Sequence, residues 1–235
     1  MNTQSLEIQP KSYARIAGLL YLVIAVFGAF AIGYVPSVII EAGDAAATAN
    51  NLLSNMGLFQ MGIFGDVVVL LTEVVLTIML YVMFKPVSNT ISLVAAWSRM
   101  AMVLLMAINL LINIMPIVLL SGAGYLNAFS IAELQATALL FFEAHQMGIY
   151  VWELFFGMHL VALGYMIIKS NLFPRILGWM MLIGSLGYSF QGLANVMHIE
   201  NVVLGYAIIG LLTIVTIGEL AFAFWLLVKG IKTSN

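Results

Sequence analysis

The sequence contains no cysteine, which excludes disulfides, thiolate metal sites, iron–sulfur clusters and cysteine nucleophiles. Charged residues are also scarce: they make up 8% of the chain, where an ordinary globular domain has about 25%. With 63% hydrophobic residues and a mean hydropathy of +1.11, the chain has too few charges to cover a water-facing surface. The composition therefore excludes a soluble protein.

Basic residues are few and widely spaced. The formal net charge is −2, and the eight Lys and Arg residues form no cluster along the chain. Nucleic acid is therefore not an expected partner. The sequence also has no phosphate-binding loop, no nucleophile elbow and no His-Glu-x-x-His helix. No pattern identifies an enzyme, so catalytic activity is left open, as is the oligomeric state.

Six apolar stretches are each long enough to cross a bilayer. A spanning helix needs about 20 mostly apolar residues, and the stretches that qualify are residues 16–34, 57–84, 100–120, 147–168, 176–197 and 202–228. They are too long and too uniformly apolar for the alternating strands of a membrane barrel. The predicted fold is all-α, a polytopic bundle of six transmembrane helices in a single domain, with the lipid bilayer as its environment.

The distribution of charge predicts the orientation of this bundle. Six crossings place both termini on one side, and the basic residues lie on or next to that side: Lys11, Arg15, Lys85, Arg99, Lys169, Arg175, Lys229 and Lys232. Because Lys and Arg concentrate in cytoplasmic loops, both termini are predicted to be cytoplasmic. Arg15, Arg99 and Arg175 stand at the predicted starts of the odd-numbered spans. Arg99 could pair with Glu73, but its match to the other two arginines favours contact of all three with the cytoplasmic headgroups.

Similar segments predict three parallel two-helix repeats, residues 13–85, 97–169 and 173–229. Gln60-Met61-Gly62-Ile63 opens the second span, and Gln146-Met147-Gly148-Ile149 opens the fourth. A polar segment precedes each run, and we expect it to form a short amphipathic outer helix, capped by Asp44 in the first repeat and by Ser130 in the second. In transporter folds with parallel repeats, the substrate binds where the repeats meet.

Alignment of these repeats brings acid–base groups of the even-numbered spans to one depth. Glu73 lies opposite His159, and His159 opposite Glu219, about 15 Å from the cytoplasmic helix ends. Asp66, one heptad before Glu73, can face the same way. Two functions are consistent with such groups inside a membrane: a proton relay through a histidine between two carboxylates, or a site for a cation or a divalent metal. Hydrogen bonding that only joins the helices is the alternative.

A second group of polar residues is predicted at the outer end of the bundle. A short turn between the fourth and fifth spans brings His145 and His198 to similar depth, near Glu143. These residues suggest an outer metal site or an axial haem pair. Haem is not favoured, because no second helix carries a matching pair of histidines. Histidines at the membrane interface, in contact with headgroups, are the simpler interpretation.

Several segments together resemble a known family. They are Arg15-Ile16-Ala17-Gly18-Leu19-Leu20-Tyr21-Leu22, Gly43-Asp44-Ala45-Ala46-Ala47-Thr48-Ala49, His145 followed by Gly157-Met158-His159, Gly164-Tyr165, Phe173-Pro174-Arg175-Ile176-Leu177-Gly178 and Gly187-Tyr188. In this combination, which extends over nearly the whole chain, the sequence resembles a bacterial membrane family known as domain of unknown function 4386. The resemblance implies a prokaryotic inner-membrane protein, and it implies no particular activity, cofactor or catalytic residue.

The expected function is that of a small membrane transporter or ligand-binding protein, with a buried acidic and histidine cluster formed by Asp66, Glu73, His159 and Glu219. The parallel repeats and the restriction of inner polar groups to the even-numbered spans favour it. A membrane-embedded metal-dependent enzyme, in which the inner or the outer group holds a metal-activated water, is the first alternative. A sensor or assembly protein without turnover is the second.

Overall fold

The structure of the chain, a computed structural model, describes residues 10–231. Its α-helices are Pro10–Gly28 (α1), Val35–Ile39 (α2), Ala45–Ser54 (α3), Met56–Phe84 (α4), Asn89–Leu119 (α5), Ile131–Ser170 (α6), Arg175–Val196 (α7) and Val202–Val228 (α8). A π-helical segment, Ala29–Tyr34, joins α1 to α2, and a short 3₁₀ helix, Gly124–Ala128, precedes α6. No strand occurs in the described part of the chain, and the predicted all-α fold is confirmed. Lys232 lies outside the described residues.

Six helical segments are long and apolar enough to cross a membrane: Lys11–Ile39, Met56–Phe84, Asn89–Leu119, Ile131–Ser170, Arg175–Val196 and Val202–Val228. The chain is therefore a multi-pass membrane protein, as predicted. The helix that contains the third predicted span, α5, begins at Asn89, before the predicted start at residue 100. The Ser88 hydroxyl caps this earlier start by accepting a hydrogen bond from the Ile91 N–H.

The two predicted outer helices differ in the structure. The first is α3, a separate helix whose first turn is capped by Asp44 as predicted, since the Asp44 carboxylate accepts from the Ala47 N–H at 2.8 Å. The second is not a separate helix. It forms the first turns of the long helix α6, which starts with a capping box between Ser130 and Glu133. The three predicted repeats stay a prediction.

The six spans form a closed ring in sequence order. Each packs against the preceding and the following span, and α8 closes the ring against α1. Helices α1 and α8 are in tight contact toward the chain ends, where a methyl group added at Gly18 would lie 2.6 Å from the backbone nitrogen of Leu227. Nearby, the rings of Tyr21 and Phe222 pack edge to face, with centroids 5.8 Å apart. We call this side of the bundle, which holds both chain ends, the terminal side.

The first span changes direction beyond this contact. Pro36 has no N–H and cannot donate to the carbonyl of Ile32, so a regular α-helix is disfavoured here and the π-helical turn precedes it. The π-helical segment packs on α4, and α2 packs on both α3 and α4, whereas neither has more than weak contact with α8. As a result, the first and last spans are packed together on the terminal side and diverge toward the opposite side.

The close approach of α6 and α7 depends on two facing glycines. A methyl group at Gly178 would lie 2.6 Å from the carbonyl oxygen of Gly164. We therefore expect Gly178→Ala to lower the free energy of unfolding in detergent by about 1–3 kcal/mol, the usual cost of overpacking. Gly210→Ala is the matched control, because a methyl group there meets no atom within 4 Å. Equal effects of the two substitutions would contradict this packing.

Candidate functional site

A buried ion pair lies near the centre of the ring. Arg99 on α5 donates from Nε to Oε2 of Glu73 on α4, at 2.5 Å. Both residues are almost completely buried, with 1% of Arg99 and 3% of Glu73 exposed. No other ion pair occurs among the residues that the structure describes. The pair therefore provides the arginine with a counter-charge inside the membrane, where an unpaired charge is costly.

The position of Arg99 shows that its predicted contact with the headgroups is wrong. Because α5 begins at Asn89, Arg99 lies about 15 Å from the start of that helix. Its Cζ atom is 5.2 Å from the centroid of the Tyr21 ring and 5.6 Å from that of Phe156. Its Nη1 atom also donates to the Tyr21 hydroxyl at 3.4 Å. Arg99 is thus held by groups on several helices and belongs to the interior.

His159 on α6 completes the group around the guanidinium. Its Nε2 lies 2.9 Å from Nη1 of Arg99, and its Nδ1 lies 2.8 Å from the carbonyl oxygen of Ala95. An arginine can only donate, so Nε2 accepts, and Nδ1 carries the proton that is donated to the carbonyl. His159 is therefore a neutral imidazole that lies against Arg99. The proton-relay hypothesis placed His159 between two carboxylates. In the structure, the guanidinium of Arg99 lies between His159 and Glu73.

A cavity of about 360 Å³ lies beside the ion pair. All six spans contribute to its wall, which is mostly apolar and is formed by Tyr21, Ile24, Ala25, Gly28, Ala29, Ile32, Val69, Glu73, Arg99, Met102, Met106, Trp152, Phe156, Tyr188, Thr216, Glu219, Leu220 and Ala223. Glu219 on α8 is partly exposed to this central cavity. The Tyr188 hydroxyl on α7 lies beside the Glu219 carboxylate. Glu73 and Glu219 thus face one space, as their common predicted depth implied.

Asp66 lies in a smaller pocket, of about 20 Å³, that adjoins the central cavity. The two spaces share Ile32, Met106 and Trp152 as walls. Asp66 accepts a hydrogen bond from Nδ2 of Asn113 at 3.5 Å. The structure therefore places Asp66 on the side of the cavity away from the chain ends, apart from the ion pair.

The residues of the predicted outer site are not gathered around one point. His145 bonds reciprocally with Asn109 on α5: its Nδ1 donates to the Asn109 carbonyl at 3.1 Å, and the Asn109 amide donates to the His145 carbonyl at 2.9 Å. His198 and Glu143 are exposed. Within residues 10–231, no three His, Asp or Glu side chains lie close enough to hold a metal ion. This geometry favours neither the inner nor the outer metal site.

The comparison with known proteins identifies the family. The family described as Domain of unknown function (DUF4386) matches residues 16–230. The chain belongs to this family. It is also 30% identical over 174 residues to an "Uncharacterized protein" of Archaeoglobus fulgidus, an alignment that covers 74% of this chain and 86% of that protein. No solved structure matches the chain. The resemblance is confirmed, and since this relative is archaeal, the expected bacterial inner membrane stays a prediction.

Some residues of this DUF4386 protein were not among the predicted site residues. Tyr21 and Tyr188 line the cavity, and both lie in segments that carry the family resemblance. Glu153 on α6 is a further buried carboxylate near Tyr188, with 6% of the residue exposed and no hydrogen-bond partner for Oε2. The segments that resemble the family could therefore have identified the two tyrosines as candidate site residues. The cavity itself corresponds to no pattern in the sequence.

Proposed function

We propose that this protein is a small membrane transporter that binds a cationic organic molecule in the central cavity. The observation that carries the proposal is the charge balance of the cavity wall, which has two carboxylates, Glu73 and Glu219, and one cation, Arg99. Arg99 is paired with Glu73, so the second carboxylate has a neutral hydroxyl, that of Tyr188, as its neighbour. A positive charge on a ligand favours the ionised form of Glu219 and is attracted to it, strongly so where water is largely absent.

The size and position of the cavity support transport of an organic molecule. A volume of about 360 Å³ is within the usual range for small-molecule pockets and is too large for a bare ion. Binding sites near mid-depth, between all the spans, are typical of transporters built from repeats. The pocket around Asp66 extends the polar groups toward the opposite side. We place both chain ends in the cytoplasm of a prokaryotic cell, from the distribution of Lys and Arg.

Trp152 offers a direct reporter of binding, since it lines the cavity. Trp97 and Trp179 are exposed, and the indole nitrogen of Trp225 has no hydrogen-bond partner, so Phe can replace all three without loss of a hydrogen bond. The resulting single-tryptophan protein is placed in zwitterionic lipid nanodiscs. The probe is 12-bromododecyltrimethylammonium, whose bromine quenches indole fluorescence on contact. The proposal predicts saturable quenching, whereas a probe that is only dissolved in lipid quenches without saturation.

Replacement of Glu219 tests the assigned charge. We expect Glu219→Gln to weaken binding of the probe by about tenfold or more, because the amide keeps the shape but loses the charge. The same substitution should abolish protein-dependent movement of the probe across a vesicle membrane. Glu200→Gln, at an exposed position, is the control and should leave both measurements unchanged. Equal affinity of the Glu219→Gln variant and the parent would contradict the proposed function.

A further inference from the structure

Part of the cavity wall is also part of the outer surface of the bundle. Ala29 in the π-helical segment and Thr216 and Leu220 on α8 line the central cavity, and all three are exposed. For Leu220 the exposed fraction is 38%. Residues that face a cavity and the exterior at once mark the place where the cavity opens. At this depth in a membrane-spanning bundle, the exterior is lipid.

The packing of the first and last spans explains the opening. Their close contacts lie on the terminal side, at Gly18 and Tyr21, while the π-helical segment packs on α4 instead of α8. A methyl group added at Gly28, which also lines the cavity, would meet no atom within 4 Å. The ring of helices is therefore closed between α1 and α8 on the terminal side, and the walls separate farther along the two spans.

The other directions out of the cavity are narrow. On the terminal side, buried side chains block a path out of the cavity. They are the hydrogen-bonded group of Glu73, Arg99 and His159 and the fully buried ring of Phe222. On the opposite side, the adjoining pocket at Asp66 has only about 20 Å³. These two directions are obstructed by buried side chains or by a small pocket, whereas the cavity residues in the gap between α1 and α8 are exposed.

We propose that the cavity opens sideways into the bilayer between Ala29, Thr216 and Leu220, and that its ligand is a membrane-dissolved cationic amphiphile that enters through this lateral opening. The inference rests on the proposed function and adds the ligand class and the route. The apolar wall accommodates the tail, and the carboxylate of Glu219 pairs with the cationic head. A ligand that is already dissolved in lipid needs no aqueous path to reach the site.

Two threonines on α8 provide a matched test of this route. Thr216 lies at the lateral opening, and Thr213 is exposed outside it; each hydroxyl donates to the carbonyl four residues earlier at 2.8 Å. Stopped-flow quenching of Trp152 by 12-bromododecyltrimethylammonium in nanodiscs measures entry and exit. We expect Thr216→Phe to slow both by about tenfold, because the ring narrows the opening. Thr213→Phe should keep the parent rates. Ala29→Phe, on the facing wall, is the second blocking variant and should repeat the slow kinetics.

A short, water-soluble cation separates the two proposals. We expect 2-bromoethyltrimethylammonium to produce no saturable quenching, since it has no tail to bring it into the bilayer. If it binds, and Thr216→Phe and Ala29→Phe leave the kinetics of both probes unchanged, the lateral opening is overturned while the cationic site stands. If neither probe quenches Trp152 in a saturable way, the proposed function fails and the lateral opening with it.

Discussion

Arg99→Met is expected to destabilise the protein strongly, by about 3–5 kcal/mol in the free energy of unfolding. The substitution leaves Glu73 buried without its partner and removes the hydrogen bonds from the guanidinium to Tyr21 and His159. The double variant Arg99→Met with Glu73→Leu should be more stable than Arg99→Met alone, because Glu73 is then no longer left as a buried carboxylate without its partner. Unfolding in mixed detergent micelles, followed by circular dichroism, measures these differences as a double-mutant cycle.

Arg175→Met is the control for this cycle. Arg175 also stands near the start of an odd-numbered span, but it is exposed, and its guanidinium donates to the side chain of Asn171. We expect its replacement to change stability by less than about 0.5 kcal/mol. If Arg99 reached the headgroups in the same way, both substitutions would have similarly small effects, and Arg99 and Glu73 would show no coupling energy.

Gly28→Phe is expected to reduce affinity for the ammonium probe by about a hundredfold or more, which corresponds to about 2.8 kcal/mol. A Cβ atom at Gly28 meets nothing within 4 Å, and because Gly28 lines the cavity, we expect the new ring to occupy part of that space. The ligand then loses both volume and van der Waals contacts with the wall. Saturable quenching of Trp152 in the single-tryptophan protein measures the loss.

Gly33→Phe is the corresponding control. Gly33 lies one helical turn beyond Gly28, is exposed, and also has no atom within 4 Å of an added methyl group, but it does not line the cavity. Its replacement should leave the affinity within about twofold of the parent, since surface substitutions have small effects. Equal losses of affinity in the two variants would show that disturbance of the first span, and not filling of the cavity, weakens binding.

The number and type of spans could be predicted because hydrophobic length is a local property of the sequence. The predicted last span, residues 202–228, coincides with α8. Helices α5 and α6 start well before the predicted apolar stretches, because polar segments next to an apolar stretch can continue the same helix. Ser130 was correctly identified as a cap, but the helix that it caps is the whole of α6 rather than a short outer helix.

The charged cluster could be predicted only in part. Alignment of the even-numbered spans placed Glu73, His159 and Glu219 at one depth, and two of these residues contact the same guanidinium. The pair of Arg99 with Glu73 was the less favoured alternative, because three arginines stand in similar local sequences and only tertiary packing decides which of them is buried. The earlier start of α5 at Asn89 places Arg99 well inside that helix and away from the headgroups.

The cavity and its lateral opening could not be predicted from the sequence. Both depend on how far apart α1 and α8 stand, and that distance is set by the contact at Gly18 and the change of direction before Pro36. Neither feature has a hydrophobic period that distinguishes it from an ordinary apolar helix. Predicted depth alone was also insufficient for the outer residues. His145, His198 and Glu143 were predicted at similar depth, but they do not lie around one point.

The most direct test is a density map of the protein in lipid nanodiscs with 12-bromododecyltrimethylammonium, determined by electron cryomicroscopy. We expect the Arg99 guanidinium between Glu73 and His159, and probe density with its ammonium head at Glu219 and its tail directed toward the gap between α1 and α8. A map in which Arg99 lies among the headgroups, or in which side chains fill the space between Glu219 and Trp152, would contradict the binding site proposed for this protein.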